Sequence, residues 1–156
     1  MGSGTTLVEA KLLNRNAIGV DINPQSVSIS ETNLQFQCET KSKIHTRCAN
    51  ATDLSFIKDS HIDFICTHPP YANIIKYSKN VDGDISLLTV EEFLKEMTVV
   101  AQEAYRVLRK GKACAVMIGD MRRYGKVVPL GFWVMECFLS VGFVSKEIII
   151  KAVSYT

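Results

Sequence analysis

The feature that most constrains this chain is an alternation: short β-branched or unbroken apolar runs take turns with helix-length stretches from one end to the other. Ala17-Ile18-Gly19-Val20 ending at Asp21, then Ile44–Cys48, Ile62–Cys66, Ala113–Ile118 and Val144–Ile150 read as strands. Thr5–Leu13 is apolar nearly all round, as expected of a buried helix. Asn23-Pro24 is a helix start, the Asn capping free amides and the proline suiting the first helical position, and this helix extends to about Cys38. The clearest helix places Phe93, Met97, Val100, Ala101, Ala104 and Leu108 on one face and is expected to stop at Gly111; Leu130–Leu139 is another. Such a sequence folds as α/β, doubly wound, with a mostly parallel sheet and helices on both faces. No repeat or linker divides the 156 residues, so one domain over 1–156 is expected.

Composition narrows the class. With 47% hydrophobic and 22% charged residues, disorder is excluded as the dominant state. The apolar stretches are short and broken by charges, so no bilayer span is expected, and no signal peptide opens the chain. Five cysteines with no Cys-x-x-Cys pair argue against a disulfide framework and for a reducing, cytoplasmic setting. Cys38, His45 and Cys48 fit no standard zinc spacing, so no metal is expected. A net charge of +2 decides no partner. His61 reads as structural, and Phe132 and Trp133, at helical spacing with Leu130, Val134 and Phe138, read as core.

In parallel α/β folds, ligands sit at the carboxyl ends of the strands, which directs attention to Gly2–Thr5, Asp21–Asn23, Asn50–Asp53, Thr67–Tyr71 and Gly119–Arg123. Gly2-Ser3-Gly4-Thr5-Thr6 opens directly onto a helix. Its glycines let backbone approach a ligand, and the helix N-terminus offers unpaired amides. A Walker loop is excluded because no Lys-Ser/Thr follows the second glycine, and the third glycine of a dinucleotide fingerprint is missing. Asp21, at the end of the next strand, is placed to accept ribose hydroxyls; the alternative is a carboxylate favoured by the following helix dipole. Together the two features point to a nucleoside-bearing cofactor. Thr67-His68-Pro69-Pro70-Tyr71 is the sharpest local feature. Two prolines freeze the backbone after a strand, and an aromatic ring follows, which suits a flat base bearing an exocyclic amino group. The alternative is a rigid loop with Tyr71 as a core filler.

Gly2-Ser3-Gly4-Thr5-Thr6-Leu7, then Gly19-Val20-Asp21-Ile22, then Pro69-Pro70-Tyr71 at a strand end resemble the S-adenosylmethionine-dependent amino-methyltransferases that act on N4 of cytosine or N6 of adenine in DNA. The resemblance runs through almost the whole chain and implies a Rossmann-like methyltransferase sheet. It also implies that Gly2, Ser3, Gly4 and Thr5 embrace the methionine end of S-adenosylmethionine, that Asp21 with Ile22 holds its ribose, and that Asn50 and Ala51 border its adenine. His68-Pro69-Pro70-Tyr71 becomes the methyl-transfer motif and DNA the partner.

The sequence departs from the family pattern twice. His68 stands where the family has Asp, Asn or Ser; a neutral imidazole accepts one hydrogen bond and an imidazolium none, so transfer is expected to fall as His68 protonates. The first, central strand of the sheet is missing before Gly2, so another chain or a missing segment is expected to supply it. The stretch between Asp21 and Thr67 leaves no room for a target-recognition domain. Arg106, Arg109, Lys110, Lys112, Arg122, Arg123 and Lys126 form a basic run, of which Arg122, Arg123 and Lys126 near a strand end are the candidates for phosphate contact; a solvated helix end is the alternative. Residues 73–88, with Lys76, Tyr77, Lys79 and Gly83, suit a lid or a long surface loop. An RNA base or a glutamine amide presents the same NH₂ to the same turn, and an inactive methyltransferase-like binding subunit is the reading of a different class.

Overall fold

Two parallel strand pairs, each joined by its own crossover helix, organise the structure, a computed structural model that describes residues 1–71 and 83–151. Helix α1 (Thr5–Leu12) leads into β1 (Ala17–Asp21), and α2 (Pro24–Asn33) carries the chain back to β2 (Ile44–Cys48). Strand β3 (Ile62–Thr67) is followed by a 3-10 turn at Ile85–Leu87, α3 (Val90–Val107) and β4 (Leu108–Val116). A hairpin of β5 (Met121–Arg123) and β6 (Lys126–Val128) precedes α4 (Leu130–Val141). β1 pairs in parallel with β2 from Ala17↔Ile44 to Asp21↔Cys48, and β3 with β4 up to Thr67↔Val116. The expected α/β class with parallel strands is therefore present. Among the described residues the parallel strands form two separate two-stranded sheets, so β1 and β3 each have a ladder partner there on one edge only.

The main core lies between α3 and α4. Phe93, Met97, Ala101 and Ala104 from α3 meet Leu130, Val134 and Phe138 from α4, with Met121 beneath and Ile65, Cys114 and Val116 of the second strand pair packed against them. The period of α3 produces this face, and its start is well specified. Thr89 accepts from the Glu92 amide while the Glu92 carboxylate accepts from the Thr89 amide at 2.9 Å, a complete capping box. At α2, Asn23 accepts from the Gln25 amide at 2.9 Å with Pro24 at the first helical position, as the sequence indicates.

Several boundaries differ from expectation. α2 ends at Asn33, not near Cys38, because Lys11 Nζ donates to the carbonyls of Leu34 and Phe36 at 2.7 and 2.8 Å and lies over the Phe36 ring, holding this segment against α1. α3 gives way to β4 at Leu108, before Gly111; the stretch from Leu108 to Ala113 lies opposite the shorter one from Ile62 to Phe64, and Gly111 sits inside this bulge. α1 is not a buried helix. Only Leu7 is covered, while Leu12 and Leu13 are exposed, because β1, paired on one edge, offers a narrow surface. Phe132 is exposed on α4, its side chain lying off the stripe of Leu130, Val134 and Phe138. Val144–Ile150 forms no strand; it has no ladder partner among the described residues, and its Ile148, Ile149 and Ile150 are exposed. The Met121–Val128 hairpin was not expected. No described helix is long and apolar enough to cross a membrane.

Candidate active site

The first half of the candidate site is built around the glycine loop. Gly4 is the N-cap of α1 with φ of 84°, and an added Cβ would come within 2.8 Å of the Ser30 side chain on α2, so no larger residue fits there. Ser30, fully buried, donates from Oγ to the Gly2 carbonyl at 2.9 Å, and Asn33 Nδ2 donates to the Ser3 carbonyl at 2.9 Å. α2 thus shapes the loop from behind. Gly2 has open space on its side-chain side, and among the described residues no side chain caps the first amides of α1. Ser3 and Thr5 face solvent, their hydroxyls 3.4 Å apart.

Asp21 ties this loop to the strand end. Its Oδ2 accepts from the Gly2 amide at 3.0 Å and from the Met1 nitrogen at 2.8 Å, and its Oδ1 accepts from the Asn23 amide at 2.9 Å. Partial burial works against the charged form, but these hydrogen bonds outweigh it and hold the carboxyl below the ordinary carboxylate value. The β1–β2 register sets Asn50 and Ala51 just beyond Cys48, beside Ile22, and the Ala49 amide donates to the Asp21 carbonyl at 3.0 Å. Gly83 closes on this pair: a Cβ there would lie 3.1 Å from both Ile22 Cδ1 and Asn50 Nδ2.

The second half is the turn after β3. Pro69 is buried, Pro70 and Tyr71 are half-buried, and His68 is exposed. The Tyr71 ring packs against the main core, meets the His68 ring edge-on at 5.9 Å, and accepts at its hydroxyl from the Gly119 amide at 3.1 Å. Tyr71 is therefore both partly core filler and a fixed wall beside His68. The Met117 amide donates to the Thr67 carbonyl at 2.9 Å, which carries the β3–β4 pairing forward and brings Gly119 to the turn. Among the described residues no hydrogen bond joins the glycine loop to this turn.

The basic run divides. Arg106 donates to Glu103 and Asp59 carboxylates and to the Leu54 and Ile57 carbonyls, clamping the segment before β3 onto α3. Arg109 makes a two-pronged contact with Asp63 at 2.9 Å, and Lys112 reaches the same carboxylate at 3.5 Å. Arg122, Arg123 and Lys126 lie on the β5–β6 hairpin, exposed and without an ion pair among the described residues. Lys76, Tyr77 and Lys79 lie outside the described residues. Ser30 and Asn33 were missed, while Gly83 was placed only within the lid or loop segment and Gly119 only at the start of a strand-end segment. Only Ser30 carried a signal, as a polar residue three places after Val27 on the inward face of α2.

Residues 1–123 match the family described as RMKL-like, methyltransferase domain. Among solved structures, a SAM-dependent methyltransferase of Methanosarcina mazei superposes with a TM-score of 0.54 at 23% identity, over 74% of this chain and 47% of that one. The cyclase SpnF gives 0.56 at 16% identity, over 90% of this chain and 48% of its own. A Pyrococcus horikoshii protein gives 0.57 at 13% identity, over 89% and 68%. At these identities the likeness is one of fold. The chain spans about half the length of the first two structures. A search of curated proteins finds no match.

Proposed function

The chain belongs to the RMKL-like methyltransferase-domain family, and from that premise we propose that it binds S-adenosylmethionine and serves methyl transfer to the exocyclic amine of a DNA base, cytosine N4 or adenine N6. The observation that carries the reading is the tie between a glycine loop and a strand-end carboxylate, Gly2 amide to Asp21 Oδ2 at 3.0 Å.

The residues present fit the cofactor. The uncapped start of α1 and the open side of Gly2 suit the methionine end, with Ser3, Gly4 and Thr5 completing the loop. Asp21 carries three hydrogen bonds, so one of its roughly four lone-pair sites stays open to a ribose hydroxyl, and a second hydroxyl would replace the Met1 nitrogen. Ile22, Asn50 and Ala51 supply an apolar and amide edge for the adenine. When bound, S-adenosylmethionine supplies an electrophilic methyl group on its sulfonium.

The chain's own contribution at the acceptor is orientation. His68, as neutral imidazole, and the proline-fixed turn accept the amino hydrogens of an extruded base, leaving the nitrogen lone pair directed outward. Tyr71, fixed by Gly119, bounds the base on one side. Arg122, Arg123 and Lys126 contact flanking phosphates. Among the described residues β1 and β3 are each paired on one edge only, which supports the further reading that a strand from another chain enters the sheet between them.

Calorimetry with S-adenosylmethionine, followed by labelled-methyl transfer to DNA, RNA and protein, tests the proposal. Asp21→Ala is expected to weaken cofactor binding about 10- to 150-fold, the worth of a hydrogen bond to a charged group. A wild-type chain that binds no S-adenosylmethionine overturns the cofactor; label appearing in RNA or protein and not in DNA overturns the substrate.

A further inference from the structure

We propose that the β5–β6 hairpin is a DNA-gripping arm whose tip residue, Tyr124, stacks on a base next to the one held at the His68–Tyr71 turn; this rests on the nucleobase reading above. The tip is built for display. Tyr124 and Gly125 both have positive φ, 50° and 75°, the conformation of a two-residue mirror-image turn that keeps paired strands in register. Glycine, asparagine and aspartate usually occupy the first of these positions, and a bulky aromatic there is uncommon. Tyr124 is 89% exposed, so it contributes little to the protein's own core.

Charge supplies the second argument. Arg123 lies directly opposite Lys126 in the hairpin register, and like charges facing each other across an antiparallel pair destabilise it. With no ion pair to either from a described residue, a string of phosphates is the chemistry that relieves this repulsion. Arg123 also sits over the Tyr124 ring, 5.4 Å from its centroid, so the cation and the aromatic face form one surface. Cations and an exposed ring together are how proteins hold a strand without reading its sequence.

The arm is anchored where it needs to be. Met121 at its root is buried in the main core, and two residues earlier the Gly119 amide holds the Tyr71 hydroxyl. A strand gripped by the arm is thereby held in fixed relation to the transfer turn. Asp120, the acid nearest the root, is occupied in accepting from the Gly131 amide at the start of α4.

Fluorescence anisotropy with a labelled mixed-sequence DNA duplex, and with the same sequence as RNA, tests this on the full chain. Tyr124→Gly removes the ring while relaxing the backbone, so loss of binding by this variant does not come from unfolding. It is expected to weaken DNA binding about 5- to 150-fold, with Tyr124→Phe retaining wild-type affinity. Arg123→Ala and Lys126→Ala are each expected to reduce the salt slope by about one. Unchanged affinity and slope, in a wild-type chain that does methylate DNA, overturn the arm and leave the function standing. A loss confined to RNA overturns the assignment to DNA. Failure of the nucleobase reading shows separately, as no methyl transfer from the wild type.

Discussion

At the level of single residues, Asp21 couples the site to stability. Its folded carboxyl lies below the ordinary value of 3.8, so the charged form is favoured by folding. The resulting stabilisation is present above that ordinary value and is lost as the pH falls through the lower folded one. Urea unfolding followed from about pH 5 down to about pH 2.5 should therefore show a steep acid loss in the wild type and a shallower one in Asp21→Asn. Identical slopes would remove Asp21 from the acid limb. The position of this acid was legible in the sequence, because the short β-like run from Ala17 ends at it, and the strand does end there. Its partners were only partly so: Ser30 and Asn33 reach the loop from a helix far along the chain, and no local pattern encodes that approach.

Among elements, α3 shows how far local signals reach. Its apolar period names the buried face, which is found, while the Thr89–Glu92 box that fixes its start is seen only in the structure. Thr89→Ala should cost about 1 kcal/mol and lower the melting temperature by roughly 2–4 °C in a thermal scan; no shift would show that the box is redundant. The end of the helix was misread because Gly111 resembles a helix stop, whereas pairing with β3 draws Leu108 into a strand and leaves the glycine in a bulge. The hairpin after it escaped notice for a related reason. Tyr-Gly is a poor turn signal, and strands of three residues have no period to detect.

For the molecule as a whole, the split of the sheet is the dominant fact. Among the described residues β1 and β3 keep one unpaired edge each, Phe64 of β3 is 58% exposed, and the Val144–Ile150 segment displays isoleucines. Unpaired edges with apolar side chains associate. The isolated chain is expected to self-associate with rising concentration in sedimentation velocity, and Phe64→Lys to weaken that association at least about tenfold, equivalent to ~1.4 kcal/mol. A monomer at all concentrations would show that these edges are protected. The sequence by itself determined the alternation of strands and helices in the first four strands, the α/β class, and the residues at the ends of β1 and β2, because periodicity and backbone punctuation are local properties written in neighbouring side chains. Only the tertiary structure decided which basic residues are spent on ion pairs and which stand free on the hairpin, how α2 shapes the glycine loop, and where strands find partners. Those outcomes depend on contacts between distant segments, which burial and register settle and local sequence does not.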